Sequence, residues 1–144
     1  MNNSAENANK NSEHGQLTEE EKTMYEQAAS LSKEGNVISA IPILEKLVDN
    51  RPDSAKFLTV LAGAYWEDGR IDEAANKFRL AISLQPKWEA PSLGLFHCLW
   101  EQGRQEEALN EVKRFMTLSY SDEYVGIVKA INASADASNE PKGP

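Results

Sequence analysis

The sequence predicts an all-α fold: three stacked helical hairpins closed by one further helix on the C-terminal side. Three observations carry that prediction. Apolar residues recur at helical spacing along most of the chain, and no useful length alternates apolar and polar with period two. A succession of helix, glycine turn, helix and stop occurs more than once. Its period is the same in several independent registers. Gly35, Gly69 and Gly103 are 34 residues apart, as are Ala40, Ala74 and Ala108, Leu31, Tyr65 and Leu99, and Leu44, Phe78 and Val112. Pro52 and Pro86, and Trp66 and Trp100, keep the same interval. Such agreement marks an internal repeat.

Residues 1–16 are rich in Asn, Ser and Glu and offer almost nothing to bury, so a disordered polar tail is expected there. The folded domain is expected over 17–133. Thr18 followed by Glu21 is a capping-box pattern, and Glu19 and Glu20 favour the positive end of the helix dipole. Met24, Ala28 and Leu31 give that helix its apolar stripe. Gly35-Asn36 ends it, because both residues tolerate a left-handed cap. A second helix, from about Val37 to Asp49, carries Ile41, Leu44 and Val48 on one face and stops before Pro52. Pro42 lies inside it and removes a hydrogen bond, at about 3 kcal/mol in an unadapted helix. It is expected to kink the helix or to delay its start.

The same plan divides the chain into repeats 21–54, 55–88 and 89–122. In each, glycine supplies the reversal, the alanine five residues on lets two helices approach, and the large apolar residue after it fills the space between hairpins. Pro91 falls in the first turn of its helix, where proline is tolerated. Ser121 or Asp122 then starts a capping helix over 122–133, with Tyr124, Ile127, Val128 and Ile131 at helical spacing; Gly126 weakens it. Residues 134–144 read as a second disordered tail.

The stretch LAGAYWEDGRIDEAANKFRLAISLQP, Leu61 to Pro86, is similar to the tetratricopeptide repeat pattern, matching at Leu61, Ala62, Tyr65, Gly69, Ala74, Phe78, Ala81 and Pro86. The third repeat matches at Leu95, Gly103 and Ala108 and departs at Phe96, Phe115 and Tyr120. The first matches at Ala28, Gly35, Ala40 and Pro52 and departs at Gln27 and Leu47. Phe96 and Phe115 are expected to fill space that a further repeat would occupy.

This resemblance implies a right-handed superhelical array. Its first helices line a concave groove that takes an extended peptide or helix segment of another protein. Carried over position by position, the partner-binding residues are Tyr25 and Ala29 in repeat one, Lys56, Thr59, Gly63 and Trp66 in repeat two, and Leu93, His97 and Trp100 in repeat three. Glu67 and Glu101 fall on the same face. Trp66 and Trp100 are the expected anchors, since large aromatics desolvate much area at small entropic cost. Some members of the family hold a terminal carboxylate with a polar clamp. Here Tyr25, Ala29, Val60, Ala90 and Gly94 stand at those places, so no clamp is expected.

Composition narrows the function further. The 144 residues carry a net charge of −8, with Lys and Arg scattered singly among acids, which disfavours binding to nucleic acid. No stretch suits a membrane span, and the N-terminal residues lack the apolar core of a secretory signal, so a cytoplasmic location is expected. Cys98 is the single cysteine, which excludes an internal disulfide. His97 beside it points elsewhere on a helix and has no third ligand at useful spacing. With no phosphate-binding loop, nucleophile motif or metal cluster, neither an enzyme nor a cofactor is expected. The function expected is that of an adaptor or scaffold. The alternatives are a small chaperone of the kind that holds bacterial secretion-translocator segments, and a self-assembling subunit such as a homodimer.

Overall fold

The computed structural model describes residues 15–139. The expected N-terminal tail therefore lies largely outside the described residues, whereas residues 134–139 of the expected C-terminal tail are helical. Among those described are seven helices and no strand: α1 (Glu19–Lys33), α2 (Val37–Asn50), α3 (Ala55–Glu67), α4 (Ile71–Leu84), α5 (Glu89–Glu101), α6 (Gln105–Leu118) and α7 (Asp122–Asn139). The fold is all-α, three hairpins (α1–α2, α3–α4, α5–α6) stacked in order with α7 across the end.

Local chemistry sets each boundary. The side chains of Thr18, Asn36, Ser54 and Ser121 accept from the backbone N–H three residues on, at 3.1, 3.3, 3.2 and 3.1 Å. These contacts satisfy donors that a helix start leaves free. Where Arg70 and Arg104 hold the cap position, each instead donates through Nε to the Glu three residues on, Glu73 at 2.8 Å and Glu107 at 2.9 Å. The three inner turns are copies of one another. Gly35, Gly69 and Gly103 have φ of +83°, +79° and +75°. The N–H after each glycine donates back across the turn, Asn36 to Leu31, Arg70 to Tyr65 and Arg104 to Leu99, at 2.8, 2.8 and 2.9 Å. Only glycine enters that left-handed region without strain.

The core runs continuously through the hairpins. Ala40, Ala74 and Ala108 are all fully buried, so second helices press against their neighbours with no side chain between. Phe78 of α4 then crosses to the next hairpin. A Cβ built on Gly94 would lie 2.3 Å from its ring, so that glycine is where the ring sits.

Helix α2 starts at Val37 and is continuous through Pro42, which excludes the later start. The proline lies on the exposed face, and the Ile38 carbonyl it leaves unpartnered belongs to a residue 71% exposed, within reach of water.

Helix α7 runs to Asn139, six residues past the expected end at 133. The stretch after Ile131 is exposed. It has no proline or glycine to stop it, and Ala133, Ala135 and Ala137 are strong helix formers. The role expected of Phe96 and Phe115 takes a specific form. Both rings meet Tyr124 of α7 edge-on, with centroids 6.0 and 5.6 Å away. Ala62, the counterpart of Phe96 one repeat earlier, is small and buried, and α3 and α5 come close in backbone. With Phe96 in that place, α7 meets α5 and α6 through side chains rather than by close backbone approach.

Candidate functional site

The first helices of the hairpins, α1, α3 and α5, present the expected groove residues. At the N-terminal end Tyr25 and Lys56 are brought together: the Lys56 ammonium lies over the Tyr25 ring, 4.6 Å from its centroid. Behind it Tyr25 packs on the buried Phe57, centroids 6.1 Å apart. Ala29 is exposed on the next turn of α1. The Thr59 hydroxyl donates to the Ala55 carbonyl at 2.7 Å, leaving its lone pairs for a ligand. A Cβ at Gly63 would meet nothing within 4 Å, so this glycine opens the surface beside Trp66.

The C-terminal end is aromatic. Trp66 is 40% exposed and makes none of the ring–ring contacts found among the described residues. Trp100 is half-buried and stacks on Phe96, centroids 5.6 Å apart and planes 23° from parallel. His97 is exposed with its ring edge-on to Phe96 at 5.3 Å, and Leu93 is half-buried one turn earlier. Phe96, His97 and Trp100 form one wall of a trough of about 610 Å³, and Ile127, Ile131 and Ser134 of α7 belong to the other. His97 and Trp100 are thus joined in one concavity. Trp66 and Ala29 are not part of it.

A family model for the tetratricopeptide repeat matches residues 25–90, from within α1 to the start of α5. Solved structures of such repeats superpose over most of the chain. The Sgt2 domain of Aspergillus fumigatus does so with a TM-score of 0.71 at 18% identity, covering 88% of each chain. The fold is that of a tetratricopeptide repeat array. The Yersinia enterocolitica type III secretion chaperone SycD, in complex with a peptide of the translocator YopD, superposes with a TM-score of 0.70 at 16% identity. That likeness covers 83% of this chain and 92% of SycD. A MamA mutant follows at 0.64 and 24% identity, over 73% of this chain and 77% of that one. Against two other MamA structures the chain covers 56% and 58% of their length. At these identities the likeness is one of fold. No curated protein matches the sequence.

Two features of the tetratricopeptide array escape a reading by period. Gly94, placed by resemblance at a groove position, faces the Phe78 ring in the junction between repeats two and three. Val60, also assigned to the groove, is partly buried against the core. Behind α5 lies a buried polar group. Ser92 donates to Glu111 at 2.6 Å and its hydroxyl meets that of Tyr124 at 2.6 Å. Arg114 holds both Glu111 oxygens at 2.6 Å and donates to the Pro86 carbonyl at 3.0 Å. This network ties α5, α6 and α7 together and orients the second wall of the trough. Its one sequence signal is the i, i+3 spacing of Glu111 and Arg114 on a helix.

Cys98 is fully buried, and burial, with Glu101 adding to it, pushes its thiol up to about 11, away from thiolate reactivity. Among the described residues no three His, Cys, Asp or Glu side chains gather as a metal site requires. No described helix is long and apolar enough to cross a membrane.

Proposed function

We propose that the protein is a non-catalytic interaction module that holds a segment of another protein along the face made by α1, α3 and α5. The observation that carries this reading is the pair of repeat-equivalent tryptophans, Trp66 and Trp100. Trp66 is exposed, and Trp100 is half-buried at the edge of an open trough. Aromatic side chains so placed are the commonest energetic centres of protein interfaces. Gly63 leaves space beside Trp66, and Tyr25, Lys56 and Thr59 extend the face with mixed chemistry.

A second reading is a small chaperone for a secreted or membrane-inserting protein. It is favoured by the likeness to SycD, a secretion chaperone solved with a translocator peptide. Both readings use the same face and share a test. The Trp66→Ala/Trp100→Ala double variant, shown by circular dichroism to be folded, is expected to lose capture of the proteins that the wild-type chain retains from lysate. Unchanged capture by the folded double variant would sink both.

A further inference from the structure

We propose that the trough between α5 and α7 is the anchoring part of the groove and takes the apolar face of a basic amphipathic helix from a partner protein. The proposal rests on the groove reading above and deepens it.

The trough lies where the repeat pattern departs. Phe96 stands where the earlier repeats have Ala28 and Ala62, and its ring meets that of Tyr124 between α5 and α7. By the 34-residue register, His97, Trp100 and Glu101 correspond to Ile131, Ser134 and Ala135, so α7 stands as a fourth groove helix. It carries small residues where a tryptophan would otherwise face Trp100. About 610 Å³ is left open between Trp100 and that wall. Clefts that bury small ligands run on the order of 300–1,000 Å³. The α7 wall extends from Ile127 to Ser138. At 1.5 Å per residue that is roughly 16 Å, or three helical turns. Such a length takes a row of large apolar side chains one turn apart, as the face of a helix presents them.

Charge identifies the rest of the partner. Around the trough and the two tryptophans the face carries little free positive charge: Lys22 lies 3.1 Å from Glu19, Lys56 covers Tyr25, and Lys33, the repeat-one counterpart of Glu67 and Glu101, stands at the far end of the array. Every arginine is paired with a carboxylate as well: Arg51 with Glu21, Arg70 with Glu73, Arg79 and Arg104 with Glu107, and Arg114 with Glu111. Glu67 and Glu101 have no such partner among the described residues. They are repeat-equivalent, each follows a tryptophan, and each lies one turn beyond a groove residue, Gly63 or His97. The pattern of ring then carboxylate occurs twice. It suits a segment in which Lys or Arg flanks the apolar row, the cation meeting the carboxylate and the face of the indole.

The test uses two synthetic peptides of about twelve residues with Leu or Phe at i, i+3, i+4 and i+7. They differ only in bearing Lys or Glu at the remaining positions, and a scrambled Lys peptide is the control. Binding is read by titration calorimetry. The Lys peptide is expected to bind about tenfold or more tighter than either of the others. Ser134→Trp fills the trough from its exposed wall and is expected to weaken the Lys peptide by a similar factor. Ala130→Lys, on the same wall, is the second variant if the first disturbs the fold. Glu67→Lys/Glu101→Lys is expected to erase the preference for Lys over Glu.

Equal binding of the Lys and Glu peptides overturns the proposal. So does indifference to the trough variants while Trp66→Ala/Trp100→Ala abolishes binding, an outcome that leaves the groove reading standing. Binding unaffected by all of these variants removes the groove reading too. If the trough variants change the mass of the protein in light scattering and not its peptide affinity, the occupant is a second copy and the proposal is wrong.

Discussion

At its N-terminal end the array is closed by an ion pair, and at its C-terminal end by a cluster of rings. Glu21 of α1 and Arg51 beyond α2 have side chains 10% and 11% exposed; Arg51 spans both carboxylate oxygens and also donates to the Gln16 carbonyl at 2.8 Å. The Thr18 hydroxyl completes the group, 3.1 Å from Glu21. At the other end Tyr124 is fully buried between Phe96 and Phe115, and the polar contact of its side chain is made by the hydroxyl. Ring burial is worth free energy in proportion to area and is indifferent to small displacements. A desolvated ion pair depends on geometry and on the charge state of its members. The C-terminal closure should therefore be the stronger, and the N-terminal one the more responsive to conditions.

Replacing Tyr124 tests the first half of that contrast. Tyr124→Ala empties the space between two phenylalanines and is expected to cost about 3–5 kcal/mol in urea unfolding. In a repeat array such a loss is felt first by the nearest unit. Hydrogen exchange should show α7 amides losing protection before those of α3 and α4. Uniform loss along the chain would show that α7 is not a separable closure. Arg51→Ala is expected to cost less, about 1.5–3 kcal/mol, the scale of hydrogen bonds to a charged group. A cost above that of Tyr124→Ala would reverse the comparison.

The smallest effects come from pH and have opposite signs at the two ends. Burial alone would raise the Glu21 carboxyl, but hydrogen bonds from Arg51 and Thr18 outweigh it and hold the group below its ordinary value of 4.5. Its contribution is full above that ordinary value and disappears as pH falls through the lowered one. Burial pushes the Tyr124 hydroxyl well above its ordinary value of 10.0, with Glu111 adding to the shift. Its contribution is full below that value, and begins to disappear as pH rises past it, where the unfolded chain ionises first. Exchange measured in acid should thus open α1 ahead of α7, and in alkali α7 ahead of α1. The same order in both would refute the assignment of the two closures.

What could be read in advance follows from this division. Features that recur at repeat-equivalent positions announce themselves through the period: the three glycine turns, the buried alanines, and the two tryptophans Trp66 and Trp100. Contacts between non-equivalent positions do not. Ser92, Glu111 and Tyr124 share no register, and nothing in their spacing says that they meet. The trough was hidden for the same reason, since it follows from a departure at Phe96 together with a helix that continues past residue 133. Pro42 allows a kink or a delayed start, and a helix that begins at Val37 removes the second. Local propensity favours a break there, yet the tertiary packing of Ile41, Leu44 and Leu47 holds α2 in place while the proline faces water.

The seating of Phe78 on Gly94 makes the order of the units a property of the sequence. The counterparts of this pair are Leu44 with Val60 one repeat earlier and Val112 with Val128 one repeat later. Each seam thus has its own combination of sizes, large against none in the middle and intermediate against intermediate on either side. A duplicated second unit would bring a valine up to Phe78, where even a methyl group finds no room. The hairpins share one blueprint and are nevertheless not interchangeable parts; their succession along the chain is written into the seams between them.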